Sequence, residues 1–422
     1  MARKLSKKKI SGWLLLFAVI IFFRCGGSRS TVSLFRSCRN KPEKTAVRKP
    51  SEVDKALVHR LDSFVSHARR SGSLGVYVWD VNAGKEVYAY NADSLMRPAS
   101  NMKMLTCITA LRILGPNFRF RSGVYTRGDV KKDTLYGDIG FKFDFDPWLT
   151  PDSISHMADC LRGLGIKAVT GKIIVDAAIK EPMQHEEHWT IGDLKTRKLG
   201  ILYRGRRRVV TELRYILRSK GIVFNDSQVS EEKLPQGMKK AGEIATPVTY
   251  PVMRALLNSS NENAECLYYP LAGKLLVGDD YRSAGNARLK RFIRRELGIH
   301  PDSVAVIHDA CGLCIHDRLS ARFLVRLFQY AYAHKYINNV LCAFLPVSGQ
   351  SGTLSRRMYK PVVKGRIQAK TGTLTRDNGL TSIAGHAYTR SGRLLVFAVI
   401  QNELPVADAR LWQDRFCAEL VK

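Results

Sequence analysis

The stretch from Ser100 to Leu114 places the strongest constraint on the fold of this chain. A largely apolar run follows Lys103, and Gly115-Pro116 then forms a strong stop. A helix with so few polar positions has to be buried, so the sequence predicts one central helix in a large core. Ser100 precedes Lys103 by three residues, which places the hydroxyl and the amine one turn apart on the same face.

This Ser-x-x-Lys pair suggests nucleophilic catalysis. A serine hydroxyl is a poor nucleophile until a base takes its proton, and a lysine in a dry pocket can be that base. The helix N-terminus adds backbone N–H groups where an oxyanion would form. The spacing alone is weak evidence, because Ser6 and Lys9 repeat it in a basic leader. A serine N-cap followed by a solvated lysine is the structural alternative.

The first 25 residues have the pattern of an export signal. Basic residues precede an apolar run from Trp13 to Phe23, which is too short for an ordinary membrane span. Cys25 follows this run and suggests a lipidated cysteine, although Arg24 fits such a signal poorly and leaves an uncleaved anchor as the alternative. We therefore expect an exported, periplasmic protein in which residues 26–50 form a tether.

The charge of the chain favours polyanionic surroundings. It has 68 Lys and Arg against 37 Asp and Glu, a formal charge of +31. An anionic membrane or wall surface suits this excess, whereas export and the lack of a zinc-finger or aromatic RNA-binding motif argue against nucleic acid. The basic run at 204–208 is predicted to be a solvated loop.

The cysteines and histidines do not form a recognisable metal motif. Cys107 and Cys266 fall in apolar helical patterns and are predicted to be buried thiols. The Cys-x-x-Cys at 311–314 has no second pair of matching spacing, which disfavours metal or redox work. The His-Glu-Glu-His at 185–188 places its histidines three apart, not four as in a zincin helix, so surface histidines are the favoured interpretation.

Alternation of apolar and polar residues at two places in the chain predicts β-hairpins. Gly75 to Asp80 and Lys85 to Tyr90 are predicted to form a hairpin, and Thr381 to Tyr388 and Arg393 to Gln401 a second one.

Three further segments complete the predicted organisation. Residues 51–120 and 245–422 are predicted to be two parts of one catalytic domain. Between them, residues 121–244 combine short strands with a helix from about Pro151 to Leu164, which predicts an inserted, mostly β subdomain. The Asp146-Pro147 pair within it is interpreted as a turn signal.

Two later clusters supply further polar groups. Ser259 and Asn261 lie two residues apart on a predicted loop, where they could point into one cleft, although turn or cap use is the commoner role of such residues. Lys370-Thr371-Gly372-Thr373 is predicted on an edge strand. There it presents a cation and hydroxyls, and the glycine lets a substrate backbone approach closely.

The order Ser-x-x-Lys, Ser-x-Asn and Lys-Thr-Gly resembles the motif set of penicillin-binding proteins and serine β-lactamases. The long first gap, which holds the insertion, is similar to that of class C penicillin-binding proteins, the D-alanyl-D-alanine carboxypeptidase/endopeptidase family. The stretches Asp309 to Leu313 and Gly352 to Leu354 agree with that family. One departure is that Cys311 and Cys314 occupy positions that are usually serine.

The resemblance implies an α/β (α+β) fold: a β-lactamase/transpeptidase-like domain with an antiparallel sheet flanked by helices, interrupted by an inserted, mostly β subdomain. It also implies a mechanism. Ser100 would attack the penultimate D-Ala carbonyl and form an acyl-enzyme, while Lys103 takes the serine proton. Ser259 would relay a proton to the leaving amine, and Asn261 would hold Lys103 and the substrate amide. We also expect Lys103 to be neutral because neighbouring cations lower its pKa.

The Lys-Thr-Gly segment would bind the substrate. Lys370 would supply positive potential, Thr371 and Thr373 would bind the terminal carboxylate, and Gly372 would line the site. The oxyanion hole would be the backbone N–H groups of Ser100 and Thr373. The implied partners are peptidoglycan peptides and β-lactam antibiotics, and serine acyl transfer implies no metal or cofactor.

Two alternatives stay open at this point. A β-lactamase-like hydrolase would need fast deacylation, but the segment between Asn261 and Lys370 shows no class A type glutamate loop. A non-catalytic scaffold that binds the cell wall through its +31 charge would have no need of Lys103.

Overall fold

The computed structural model describes residues 52–67, 72–190, 192–275, 280–376 and 378–422. The predicted signal at 1–25 and the tether at 26–50 lie outside these residues. Within the described ranges, every helix falls short of the length and hydropathy that a membrane crossing requires.

The strands follow one another along the chain as β1 Ser73–Asp80, β2 Lys85–Tyr90, β3 Arg119–Lys131, β4 Thr134–Phe143, β5 Ala168–Val169, β6 Ile173–Ala177, β7 Val229–Ser230, β8 Lys239–Pro247, β9 Ala305–Val306, β10 Arg318–Leu319, β11 Ile367–Leu374, β12 Leu380–Tyr388 and β13 Leu394–Asn402. The α-helices are α1 Lys55–His67, α2 Met102–Leu114, α3 Pro151–Gly163, α4 Arg206–Ser219, α5 Thr249–Leu257, α6 Asn261–Cys266, α7 Tyr268–Ala272, α8 Tyr281–Leu297, α9 Ala321–Ala333, α10 Lys335–Phe344 and α11 Val406–Val421.

The larger body is built on a five-stranded antiparallel sheet in the order β11-β12-β13-β1-β2. Alternate side chains of β1 enter two different cores. Val76 and Val78 pack with α1 and α11 on one face, whereas Tyr77 joins the core of α2 and α9 on the other. Helices therefore cover both faces, and β11 is left as an edge strand.

Helix α2 lies at the centre of the larger core, as predicted. Every residue from Met102 to Leu111 is buried, and α5, α7, α8, α9 and α10 all contact it. A helix buried on all sides has little freedom to shift, because interiors are close-packed. The residues just before it are consequently held in a fixed position.

A second sheet, ordered β7-β6-β4-β3-β8 with β5 beside β4, is formed by strands between Arg119 and Pro247. It pairs β4 with β6 and β6 with β7 in parallel. Helices α3 and α4 pack on it and share its core. The division into domains at residues 121 and 244 stays a prediction.

Two local predictions were wrong. The basic run at 204–208 is not a loop throughout, since α4 begins at Arg206 and buries Val209 and Leu213 beneath its arginines. The apolar pattern that begins at Cys266 predicts one helix as far as Leu275, but in the structure α6 ends at Cys266 and a separate helix, α7, begins at Tyr268. Pro270 explains the break, because proline lacks the N–H that would bond to residue 266.

Candidate active site

Ser100 lies in a single 3-10 turn, Ala99–Asn101, that leads directly into α2. The Asn101 side-chain amide donates to Ser382 Oγ at 2.7 Å, and Ser382 donates to the Pro98 carbonyl at 2.5 Å. Ala99 has a φ of 45°, which is rare for a residue with a side chain and marks local strain. The turn is thus fastened to β12, and its geometry is imposed by the surrounding structure.

Lys103 is fully buried, and its Nζ has three partners. These are Ser100 Oγ at 2.8 Å, Asn261 Oδ1 at 2.7 Å and the carbonyl oxygen of Cys311 at 2.7 Å. The last two oxygens can only accept hydrogen bonds. A neutral amine would donate its two protons to them and keep its lone pair for the Ser100 hydroxyl. This arrangement is suitable for a base that deprotonates the serine.

The pKa of Lys103 is lowered, but the predicted cause was wrong. Burial is the main cause, because the low-dielectric interior disfavours the ammonium form. The charged neighbours Asp309 and Glu265 act in the opposite direction and raise the pKa. Like-charge repulsion is important instead at Lys370, whose pKa is lowered well below its ordinary value by burial first and by Lys103 second.

Lys370 is also fully buried, and it is paired with Ser259. Its Nζ donates to Ser259 Oγ at 2.8 Å and to the carbonyl of Thr371 at 2.5 Å. Ser259 has a φ of 54° just before α6, and Asn261 is the first residue of that helix rather than part of a loop. The two lysines therefore each contact one serine, and Asn261 contacts the first lysine.

Gly372 is placed where no side chain would fit. A Cβ there would collide with Ser382 Oγ and would lie 2.8 Å from the Pro98 carbonyl and 3.0 Å from the Ser100 nitrogen. The sequence suggested that this glycine admits a substrate backbone. In the structure it admits the Ser100 turn, which packs directly against β11.

Both threonines of the segment have hydroxyl partners. Thr371 Oγ1 lies 2.7 Å from Thr353 Oγ1, and Thr373 Oγ1 accepts a hydrogen bond from Arg410 Nη2 at 3.0 Å. Arg410 is an exposed residue on α11. An arginine beside a hydroxyl at an edge strand is a suitable site for a carboxylate.

A buried carboxylate organises the loop that contributes the Cys311 carbonyl. Asp309 accepts hydrogen bonds from four successive amides and from the Trp189 indole at 2.8 Å. Gly312 has a φ of 77°, and a Cβ there would collide with the carbonyl of Ala99 in the Ser100 turn. The loop and the turn are therefore packed against each other.

The structure brings the eight predicted site residues together at one junction between α2, α6 and β11. Sequence reasoning missed the groups that orient them, namely the Cys311 carbonyl, Asp309, Ser382 and Arg410. The family-like stretch from Asp309 to Leu313 is the one sequence signal that points to any of them. A backbone carbonyl and an arginine on a distant helix give no sequence pattern of their own.

Comparison with known proteins now decides the family. The model of the D-Ala-D-Ala carboxypeptidase 3 (S13) family matches residues 57–198 and 205–418. The chain belongs to this family. The S13 family assignment confirms the predicted resemblance and, at the level of the family, the predicted carboxypeptidase class.

Individual relatives agree with the S13 assignment. Carboxypeptidase DacB of Mycolicibacterium smegmatis is 28% identical over 358 residues, which are 77% of this chain and 75% of that protein. Penicillin binding protein 4 (dacB) from Haemophilus influenzae aligns at a TM-score of 0.71 and 18% identity, over 85% of this chain and 98% of the other. The structure of that protein complexed with a β-lactam gives 0.67 at 18% identity, with the same coverage. These likenesses confirm the predicted fold class.

Proposed function

We propose that this chain is a serine D-Ala-D-Ala carboxypeptidase/endopeptidase that acts on peptidoglycan stem peptides through an acyl-enzyme on Ser100. One observation carries the proposal. The Nζ of buried Lys103 lies 2.8 Å from Ser100 Oγ, and its two other partners are oxygens that can only accept. Because burial lowers the pKa of this lysine and none of these three oxygens belongs to a carboxylate, its amine is suited to act as a base.

The first step transfers the peptidyl group to the serine. Ser100 Oγ attacks the carbonyl carbon of the penultimate D-Ala while Lys103 takes the hydroxyl proton. The C–N bond then breaks, and the terminal D-Ala leaves as an amine after receiving a proton through Ser259. The 2.8 Å contact between Ser259 Oγ and Lys370 Nζ supports this relay, because the lysine can resupply the proton.

The second step is hydrolysis of the ester. Water attacks the acyl carbonyl and loses a proton through Ser259 to Lys370, which replaces the proton given to the leaving amine. The bond to Ser100 Oγ then breaks, and the serine recovers its proton from Lys103. The backbone N–H groups of Ser100 and Thr373 would stabilise the oxyanion in both steps. Gly372 supports this assignment, because it lets the two backbone segments lie in contact.

The terminal carboxylate of the substrate would bind at the exposed side of β11. Thr371 and Thr373 supply hydroxyls there, and Arg410 adds a guanidinium 3.0 Å from Thr373 Oγ1. Lys370 is too deeply buried to contact an anion directly, and it would contribute a positive potential in its ammonium form. A β-lactam carries a carboxylate beside its reactive carbonyl, so the same groups would bind the antibiotic.

The proposed substrate implies a location. Peptidoglycan lies outside the cytoplasm, which agrees with the export signal expected at residues 1–25 and with a periplasmic enzyme. Lipidation at Cys25 or an uncleaved anchor would hold it at a membrane. The formal charge of +31 would favour an anionic membrane or wall surface.

Intact mass after incubation with a penicillin tests the proposal. We expect one drug adduct on the parent chain and on Ser66→Ala, a control at an exposed serine of α1, and none on Ser100→Ala. Release of D-Ala from a pentapeptide, compared with cleavage of a cross-linked dimer, then separates carboxypeptidase from endopeptidase action. Rapid loss of the adduct with hydrolysed drug would favour a β-lactamase. Absence of any adduct, with wall fragments bound at low salt, would favour the scaffold.

A further inference from the structure

Two sequence motifs that were each too weak to indicate a metal site meet in the structure. The His-Glu-Glu-His at 185–188 lies in the segment after β6, and the Cys-x-x-Cys at 311–314 lies after β9. Glu186 and His188 of the first motif face Cys314 of the second across the junction between the second sheet and the larger body. His308 joins them from the residues that lead into the Asp309 loop.

The donor atoms of four side chains converge at this point. One donor atom each from Glu186, His188, His308 and Cys314 lies within 4.8 Å of every other. His188 Nδ1 is 2.6 Å from Glu186 Oε1 and 3.8 Å from Cys314 Sγ. A tetrahedral zinc with bonds of about 2.0–2.3 Å places its ligand atoms roughly 3.3–3.8 Å apart. Small side-chain rotations would bring the separations between these donor atoms into that range.

We propose that Glu186, His188, His308 and Cys314 bind one zinc ion. The donor set of two imidazoles, one thiolate and one carboxylate suits zinc and disfavours magnesium or calcium, which prefer oxygen ligands alone. Four protein ligands leave no open position for substrate, so the ion is structural.

The surroundings fit such a site. Glu186 and Cys314 are buried, whereas His188 and His308 are half-buried and give an ion access from solvent. Glu186 is oriented by the His188 backbone N–H, which donates to its second oxygen at 2.9 Å. The His316 ring lies with its centroid 4.3 Å from that of His188 and adds a further imidazole at the edge of the cluster.

The ion would connect two parts of the chain that meet at the candidate active site. His188 precedes Trp189, whose indole donates to Asp309, and Cys314 is the last residue whose amide Asp309 accepts. The same loop presents the Cys311 carbonyl to Lys103. Zinc would therefore stabilise the loop that positions the lysine, without entering the acyl-transfer chemistry. The proposal departs from the expectation from sequence, which disfavoured metal at the Cys-x-x-Cys and favoured surface histidines at 185–188.

Zinc content of the untagged full chain, purified in a non-chelating reductant, tests this directly. We expect about one equivalent by elemental analysis, and a thiolate-to-cobalt absorption band after exchange with Co²⁺. Cys314→Ser and His308→Ala should each weaken zinc binding by more than about 100-fold, because loss of a mere outer-shell partner already costs 10–100-fold. Cys314→Ser should also abolish the cobalt band.

Matched controls separate this site from adventitious binding. Cys342→Ser on α10 and His300→Ala at an exposed position should keep the full zinc content. Circular dichroism and gel filtration check that Cys314→Ser, a nearly isosteric change, is folded. A folded parent chain without zinc, or equal zinc affinity in the parent and both ligand variants, would overturn the proposal. Zinc content and the cobalt band do not depend on peptidase activity, so the zinc proposal is tested separately from the proposed function.

Discussion

The side-chain nitrogen of Lys103 lies 2.7 Å from the backbone carbonyl oxygen of Cys311. This contact joins α2 to a loop that enters the fold much later in the chain. The backbone N–H groups of Cys311 and Gly312 donate to Asp309, which fixes the loop and keeps the Cys311 carbonyl directed at Lys103. The position of the lysine is therefore set by this loop and by Asn261 of α6 as well as by its own helix.

The lowered pKa of Lys103 predicts how acylation depends on pH. Only the neutral amine can take the serine proton, so the rate should rise with pH through the lowered pKa and level off below 10.5, the ordinary value for lysine. Lys103→Arg, which stays protonated, should reduce acylation by about 10²–10⁴-fold. The second-order rate constant with a chromogenic β-lactam measures both. Lys55→Arg on exposed α1 is the control, and a rate independent of pH would contradict this role.

Gly372→Ala should separate β11 from the Ser100 turn. The added methyl group would meet the Pro98 carbonyl and the Ser100 nitrogen at 2.8 and 3.0 Å, which backbone atoms can relieve only by moving apart. We expect acylation to fall by on the order of 10²-fold, because reacting groups must be held in place closely. Gly163→Ala, where a Cβ meets nothing within 4 Å, is the matched control and should leave acylation unchanged. Equal rates for the two variants would be inconsistent with the packing described above.

Arg410→Ala tests the carboxylate site. A charge-assisted hydrogen bond contributes about 1.5–3 kcal/mol, so KM for D-Ala-D-Ala peptides should rise by about 10–100-fold with a smaller change in kcat. Peptides whose terminal carboxylate is amidated should bind the parent and the variant equally. Arg415→Ala, at another exposed position of α11, controls for loss of charge. A drop confined to kcat would assign Arg410 a different role.

Asp146 should make the stability of the protein depend on pH. Its carboxyl is buried beside Thr246, and burial raises its pKa to about 7 from 3.8. Because the folded state favours the protonated form, its stabilising contribution is present below pH 3.8 and is lost as the pH rises through about 7. Asp146→Asn should remove that fall, on the order of 4 kcal/mol, in urea unfolding across this range. Asp129→Asn, at an exposed carboxylate, should keep it, and parallel curves for parent and Asp146→Asn would refute the assignment.

The parts of the site that could be predicted from sequence are those encoded by local spacing. Ser100 and Lys103 share a helix face, and the Lys370 segment alternates along an edge strand, so short-range periodicity places both. The strand from Lys85 to Tyr90 was predicted to the residue, whereas its hairpin partner begins at Ser73 rather than at Gly75.

Other features depend on packing at long range. The role of burial in lowering the pKa of Lys103 follows from the core around α2, and no charge pattern in the sequence reports it. Asp146 does begin the predicted turn, since the Trp148 N–H donates to its side chain, but its burial beside Thr246 gives no sequence pattern. Helix α4 was missed since its arginines obscured a short apolar stripe of Val209, Leu213 and Leu217.

The pairing of Arg119 with Pro247 at the base of the second sheet has a consequence for the order of folding. The two strands that enter and leave this sheet lie side by side, so once it has formed, α2 and α5 are joined as if by a short loop. If α2 and α5 met before this sheet had formed, the whole intervening segment would have to be closed as one long, flexible loop, at a larger cost in conformational entropy. The entropic cost of bringing α2 and α5 together is therefore lowest if the second sheet forms first. The Ser100 turn would then be assembled late, after β11 has been synthesised and can pack against it.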